Sequence, residues 1–152
     1  MKVLLIEDVE VKRNQIKKFL HEIVKCEIIE ATNFKEGSLL ANSLEYDLAL
    51  VDMALPTYNV DDGNNGGAMR HLGGRDIISK IHRRKLGKPA IIITRFDSLG
   101  PAENKISISD LDIKLSNDFP GTYWGYVFYD DQSESSWKNN LKKLIANLEI
   151  ER

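Results

Sequence analysis

The apolar residues of this chain follow two alternating rhythms. Short, almost wholly apolar runs at Val3-Leu-Leu-Ile6, Leu48-Ala-Leu-Val51 and Ala90-Ile-Ile-Ile93 are separated by longer stretches in which apolar residues recur every three or four positions. Uniformly apolar short runs read as parallel strands buried on both faces, and the longer period is that of amphipathic helices. The pattern predicts strands within the first ten residues and at 26–30, 48–52, 88–94 and 126–129. Between them, Val11, Ile16, Phe19, Leu20 and Ile23 mark the inner face of a first helix, with Lys12, Lys17 and Lys18 on the wet side. A second helix starts at an Asn33 cap with Glu36 three residues on, and ends near Ser43. A third covers 75–84, with Ile77, Ile78 and Ile81 inward, and Gly87 stops it. Trp137, Leu141, Leu144, Ile145 and Leu148 line one face of the last. Strands alternating with helices imply an α/β fold, a doubly wound five-stranded parallel sheet.

Two stretches break the rhythm. Residues 57–74 carry Gly63, Gly66, Gly67, Gly73 and Gly74 and are far longer than the two to six or so residues that usually join a strand to a helix. The spacing matches no phosphate-binding fingerprint, so the stretch reads as a surface loop that leaves the sheet beside Asp52 and is placed to act as a lid. In 95–122, Ile106, Ile108, Leu111, Ile113 and Leu115 nearly alternate with polar residues, which predicts an extra strand, or a strand and a short helix.

Length and charge narrow the field. One α/β domain uses nearly all of the 152 residues. With 21 Lys plus Arg against 23 Asp plus Glu the net charge is -2, so no broad field favours nucleic acid or an anionic membrane, and the basic run His82-Arg-Arg-Lys85 fits a helix carboxyl end. A single cysteine, Cys26, leaves no internal disulfide or multi-cysteine zinc site. No run is long enough to span a membrane or serve as a signal peptide, and the expected location is cytoplasmic. His21, His71 and His82 lack ligand spacing with one another.

The chemistry sits at strand ends. The first strand finishes in Glu7-Asp8 and the third in Asp52, so adjacent strands would bring three carboxylates together. Like charges that close need a proton or a cation, and an oxygen-only set favours a hard ion such as Mg²⁺.

At these residues the chain resembles the receiver domain of two-component response regulators. The matching segments are Leu4-Leu-Ile-Glu-Asp8, Asp47-Leu-Ala-Leu-Val-Asp52 with Leu55-Pro56, and Ile91-Ile-Ile-Thr94. The resemblance implies a single flavodoxin-like (βα)5 domain over 1–152, with Asp52 as phosphoacceptor. It also implies Mg²⁺ held by Glu7, Asp8, Asp52 and the backbone carbonyl of Ala54, and Thr94 and Tyr126 as the residues that sense the phosphoryl group. The family's lysine-proline pair at the end of the fifth strand is missing: Tyr129 stands where the lysine belongs, and Arg95 is the candidate substitute cation. The 57–74 stretch becomes an insertion, and 95–122 a divergent region replacing the usual fourth helix.

Two readings of function follow. In the first, a stand-alone receiver takes a phosphoryl group from a histidine kinase or phosphotransfer protein and signals through a partner protein on the 95–131 face, or as a homodimer. In the second, a pseudo-receiver docks partners there without phosphorylation. The chain is not expected to be an enzyme. Phosphatases with a strand-end Asp nucleophile want a second Asp two positions on, where this chain has Ala54.

Overall fold

The computed structural model describes residues 1–61 and 64–151. Strands β1 (Lys2–Ile6), β2 (Glu27–Ala31), β3 (Leu48–Val51), β4 (Ala90–Thr94) and β5 (Tyr123–Phe128) form one parallel sheet in the order β5-β4-β3-β1-β2. Helices α1 (Glu10–Ile23), α2 (Phe34–Ser43), α3 (Gly73–Arg83), α4 (Ile108–Asp118) and α5 (Glu134–Glu151) cover it. This is the doubly wound parallel sheet that the alternating pattern predicts, in the flavodoxin-like arrangement that the resemblance implies.

Side chains alternate across each strand, so the sheet makes two cores. Val3, Leu5, Leu50, Ile91 and Ile93 pack with α1 and α5, where Trp137 meets Phe19 edge-on at 5.5 Å. Leu4, Ile6, Val51 and Ile92 pack with α2, α3 and α4 through Ile77, Ile81 and Leu111. The chain leaves β1 and β3 toward opposite faces. Between the carboxyl ends of these two neighbouring strands lies the crevice where sheets of this kind bind ligands.

Three expectations need correction. The 57–74 stretch is a hairpin rather than an open loop: Leu55–Pro56 pairs antiparallel with Met69–Arg70, and Val60–Asp61 with Asn64–Asn65. Gly66 and Gly67 lie in its returning arm at φ 85° and 69°, while Gly63 lies outside the described residues. The stretch also ends earlier, because α3 begins at Gly73. The Gly74 N–H bonds the Met53 carbonyl at 2.9 Å, and a Cβ on Gly74 would lie 2.5 Å from the Asp52 carbonyl oxygen. Only glycine allows this close approach of helix to strand.

The second concerns 95–122: of the two readings the strand with a short helix holds, and the fourth helix is kept rather than replaced. A short ladder, Ser98–Leu99 with Ile106–Ser107, leads directly into α4. Ser107 caps the helix by accepting from the Asp110 N–H at 3.1 Å. Ile108, Leu111 and Leu115 are buried at helical spacing, and Ile113 is exposed. The apparent alternation is two residues of strand run on into a helix.

The third is in α1. Lys12 is buried and Val11 is 67% exposed. The true inner stripe is 12, 16, 19 and 20, a helical spacing that includes the lysine and leaves the valine in water.

Candidate functional site

Backbone pairing sets the site. The Asp52 N–H donates to the Ile6 carbonyl at 2.9 Å, and the Glu7 N–H to the Ala31 carbonyl at 2.9 Å. The residues that follow β1 and β3 are thereby locked side by side. Arg13 holds the turn from β1 into α1 by donating to the carbonyls of Glu7 (3.0 Å) and Asp8 (3.3 Å) while its Nε pairs with Glu30 at 3.0 Å.

The expected acidic group is real. Glu7, Asp8 and Asp52 each offer a carboxylate oxygen within 4.8 Å of the others. Glu7 and Asp52 are buried, and Asp8 is half-buried. Burial first, and then the charge of Asp52, push the Glu7 carboxyl up to about 8 from 4.5. Asp8 is raised for the same two reasons, and Lys12 and Arg95 only partly offset them. Carboxyls pushed up by one another's charge mark a site short of positive charge. An all-oxygen set with this deficit fits a hard divalent cation, and Glu7, Asp8 and Asp52 are the residues that would hold it.

One cation is already inside. Lys12 Nζ donates to Glu7 Oε2 at 2.8 Å and to the Ile93 carbonyl at 2.9 Å, and lies at ion-pair distance, 3.4 Å, from Asp52 Oδ1. The other Glu7 oxygen accepts from the Val9 N–H at 3.2 Å, and Asp52 Oδ1 accepts from the Met53 N–H at 2.8 Å. The sequence reading missed Lys12. Its spacing alone is a weak signal: Lys12 is four residues before Ile16 on the stripe that also carries Phe19 and Leu20, but a lysine there reads as polar.

Of the other expected residues, Ala54 and Arg95 share the cavity lining with Asp8 and Asp52. Thr94 is fully buried at the end of β4; its Oγ1 accepts from the Phe96 N–H at 3.2 Å, and its carbonyl accepts from the Tyr129 N–H at 2.7 Å. Tyr126 is half-buried, opposite Ile92 in the sheet. Tyr129 is buried just beyond β5. Its hydroxyl donates to the Gln15 side chain on α1, its ring lies 5.7 Å from Lys12 Nζ, and burial raises it above the ordinary tyrosine range. Arg95 is exposed, its guanidinium 5.5 Å from the Phe96 ring. A cavity of about 600 Å³ opens over the carboxylates, lined by Asp8, Asp52, Ala54 and Arg95, by Met69 from the hairpin, and by Leu99.

Fold and site together define a flavodoxin-like domain with a cation-deficient carboxylate cluster where its strand order reverses. No family model matches the chain. Over 151 residues it is 33% identical to the Detocs response regulatory protein DtcB of Enterobacter cloacae (strain JD6301), covering 97% of this chain and 100% of that protein. It is 26% identical to protein y4jR of Sinorhizobium fredii (strain NBRC 101917 / NGR234) over 155 residues, covering 100% of each. Among solved structures, a response regulator receiver domain protein from Clostridium thermocellum superposes with a TM-score of 0.63 at 19% identity, covering 97% of this chain and 92% of that one. The response regulator TrrA of Thermotoga maritima, in complex with Mg²⁺-BeF, superposes at 0.59 and 22% identity, covering 94% and 97%. The chain belongs to the response regulator receiver family.

Proposed function

We propose that this protein is a phosphorelay receiver that accepts a phosphoryl group on Asp52 and signals through a partner protein. One carboxylate oxygen of Asp52 attacks the phosphorus of a phosphohistidine on a histidine kinase or phosphotransfer protein. The O–P bond forms as the N–P bond breaks, and the imidazole nitrogen leaves with the electron pair. Glu7, Asp8, Asp52 and the Ala54 carbonyl would hold a Mg²⁺ ion, which would supply positive charge for the phosphoryl oxygens. Asp8 and Asp52 face the cavity through which a donor side chain reaches the site. Thr94 and Tyr126 sense the modified state, and the 95–131 face carries the output.

The observation that carries this reading is the cluster of three carboxylates within 4.8 Å at the crevice of the sheet. The test is binding of beryllofluoride, an acyl-phosphate mimic, followed by tryptophan fluorescence or NMR. Saturable binding that needs both Mg²⁺ and Asp52, and is lost in Asp52→Asn, supports the reading. A wild type that ignores millimolar mimic and Mg²⁺ favours a phosphorylation-independent docking module, which the tyrosine at position 129 would suit.

A further inference from the structure

Lys12 is more than a counter-ion for Glu7. We propose that it is the cation that contacts the phosphoryl group in this receiver, delivered from α1 instead of from the end of β5. The inference rests on Asp52 being the phosphoacceptor.

Three observations carry it. The first is place: among the described residues Lys12 Nζ is the cation paired with Asp52, 3.4 Å from Oδ1, so an oxygen of a group joined to that carboxylate comes within its reach. The second is supply of charge. A phosphoryl group brings close to two negative charges into a site already short of positive charge, and the alternatives are poor. Tyr129 is a neutral donor, and Arg95 is exposed beside Phe96. A charged donor makes a hydrogen bond roughly twice as strong as a neutral one.

The third is bracing. The ring of Tyr129 lies 5.7 Å from Nζ, and its hydroxyl donates to Gln15, three residues along the same helix from Lys12. Residues three apart share a helix face. The position at the end of β5 that lacks a cation therefore steadies the helix that carries one. Lys12 also ties the site to the sheet, because it donates to the Ile93 carbonyl, next to Thr94. When Nζ turns to a phosphoryl oxygen it gives up the Asp52 contact and weakens the bond to Ile93. Phosphorylation then reaches β4 directly.

The experiment compares beryllofluoride affinity at saturating Mg²⁺ in wild type, Lys12→Gln, Lys12→Gln with Tyr129→Lys, and Lys18→Gln as a surface control, with Mg²⁺ affinity measured separately in each. The expected result is a loss of roughly tenfold or more in Lys12→Gln, without loss of Mg²⁺ affinity, partial recovery when Tyr129→Lys restores a cation from β5, and no change in Lys18→Gln. On the wild type, which raises no question of folding, the Lys12 side-chain ¹⁵N resonance should shift when the mimic binds. Unchanged affinity in folded Lys12→Gln, or an ammonium resonance that ignores the mimic, would overturn the proposal and leave Lys12 as a structural partner of Glu7. If wild type itself binds no mimic, the phosphoacceptor reading fails and this one fails with it.

Discussion

Glu7 is the residue in which sequence position, burial and charge conflict most. Its carboxyl is raised to about 8 in the folded chain against 4.5 in an ordinary setting. A raised carboxyl favours the folded state while it is protonated, so this contribution is complete below about 4.5 and is lost as pH rises toward 8. Mg²⁺ competes with that proton. In chelator, the melting temperature should therefore fall between pH 5 and 8, and the gain on adding Mg²⁺ should grow over the same interval. Glu7→Gln should flatten the first trend; a melting temperature in chelator that rises with pH would contradict the account. Gly74 has a different constraint, because an added methyl meets the Asp52 carbonyl at 2.5 Å and the Met53 Cα at 3.0 Å. Gly74→Ala should cost about 1–3 kcal/mol in denaturant unfolding and weaken beryllofluoride binding by shifting Asp52. Wild-type values for both would show that the strand end yields. The three carboxylates were legible because each closes an apolar run. Lys12 was not, because a lysine scores as polar whatever its neighbours, and only its contacts with Glu7, Asp52 and Ile93 explain its burial.

Elements were legible where a local signal agreed with packing. The Asn33 cap is present, with its Oδ1 accepting from the Glu36 N–H at 2.8 Å. The last helix buries Trp137, Leu141, Ile145 and Leu148 as its spacing implies. At α4 the hydrophobic rhythm left strand and helix both open, and the deciding signal was Ser107 with Asp110 three residues on. Ser107→Ala should cost about 1 kcal/mol and speed amide exchange in the first turn of α4; unchanged exchange there would remove the cap from the account. The hairpin was hidden because its pairs join residues such as Leu55 and Arg70, a separation that no local pattern reports. It borders the cavity through Met69 and His71. Amide exchange at Thr57 and Tyr58, whose N–H groups bond the carbonyls of Ala68 and Gly66, should slow when Mg²⁺ and beryllofluoride bind, as a closing lid requires. Exchange that stays the same would make the hairpin a passive wall.

At the scale of the whole molecule the two-sided core explains why the fold was the most legible feature. Val3 and Leu5 face one layer while Leu4 and Ile6 face the other, so a continuous apolar run in the sequence is what a sheet covered on both faces requires. The order β5-β4-β3-β1-β2 is one of the doubly wound orders open to strands that alternate with helices. No helix among the described residues is long and apolar enough to cross a membrane. Trp137 joins the α5 layer to both the first helix and Tyr129, at 5.5 Å from Phe19 and 5.1 Å from the tyrosine ring. Trp137→Ala should cost about 3–5 kcal/mol of unfolding free energy and loosen the wall behind Lys12, whereas a loss under 1 kcal/mol would mean that the layer is not held there. Phosphoryl acceptance on Asp52 is the function proposed for this architecture. It is tested most directly by incubating the protein with Mg²⁺ and acetyl phosphate, reducing with borohydride, which turns an aspartyl phosphate into homoserine, and mapping the product by mass spectrometry. The account predicts homoserine at position 52, dependent on Mg²⁺ and absent from Asp52→Asn. An unmodified Asp52, or conversion at another aspartate alone, would contradict it.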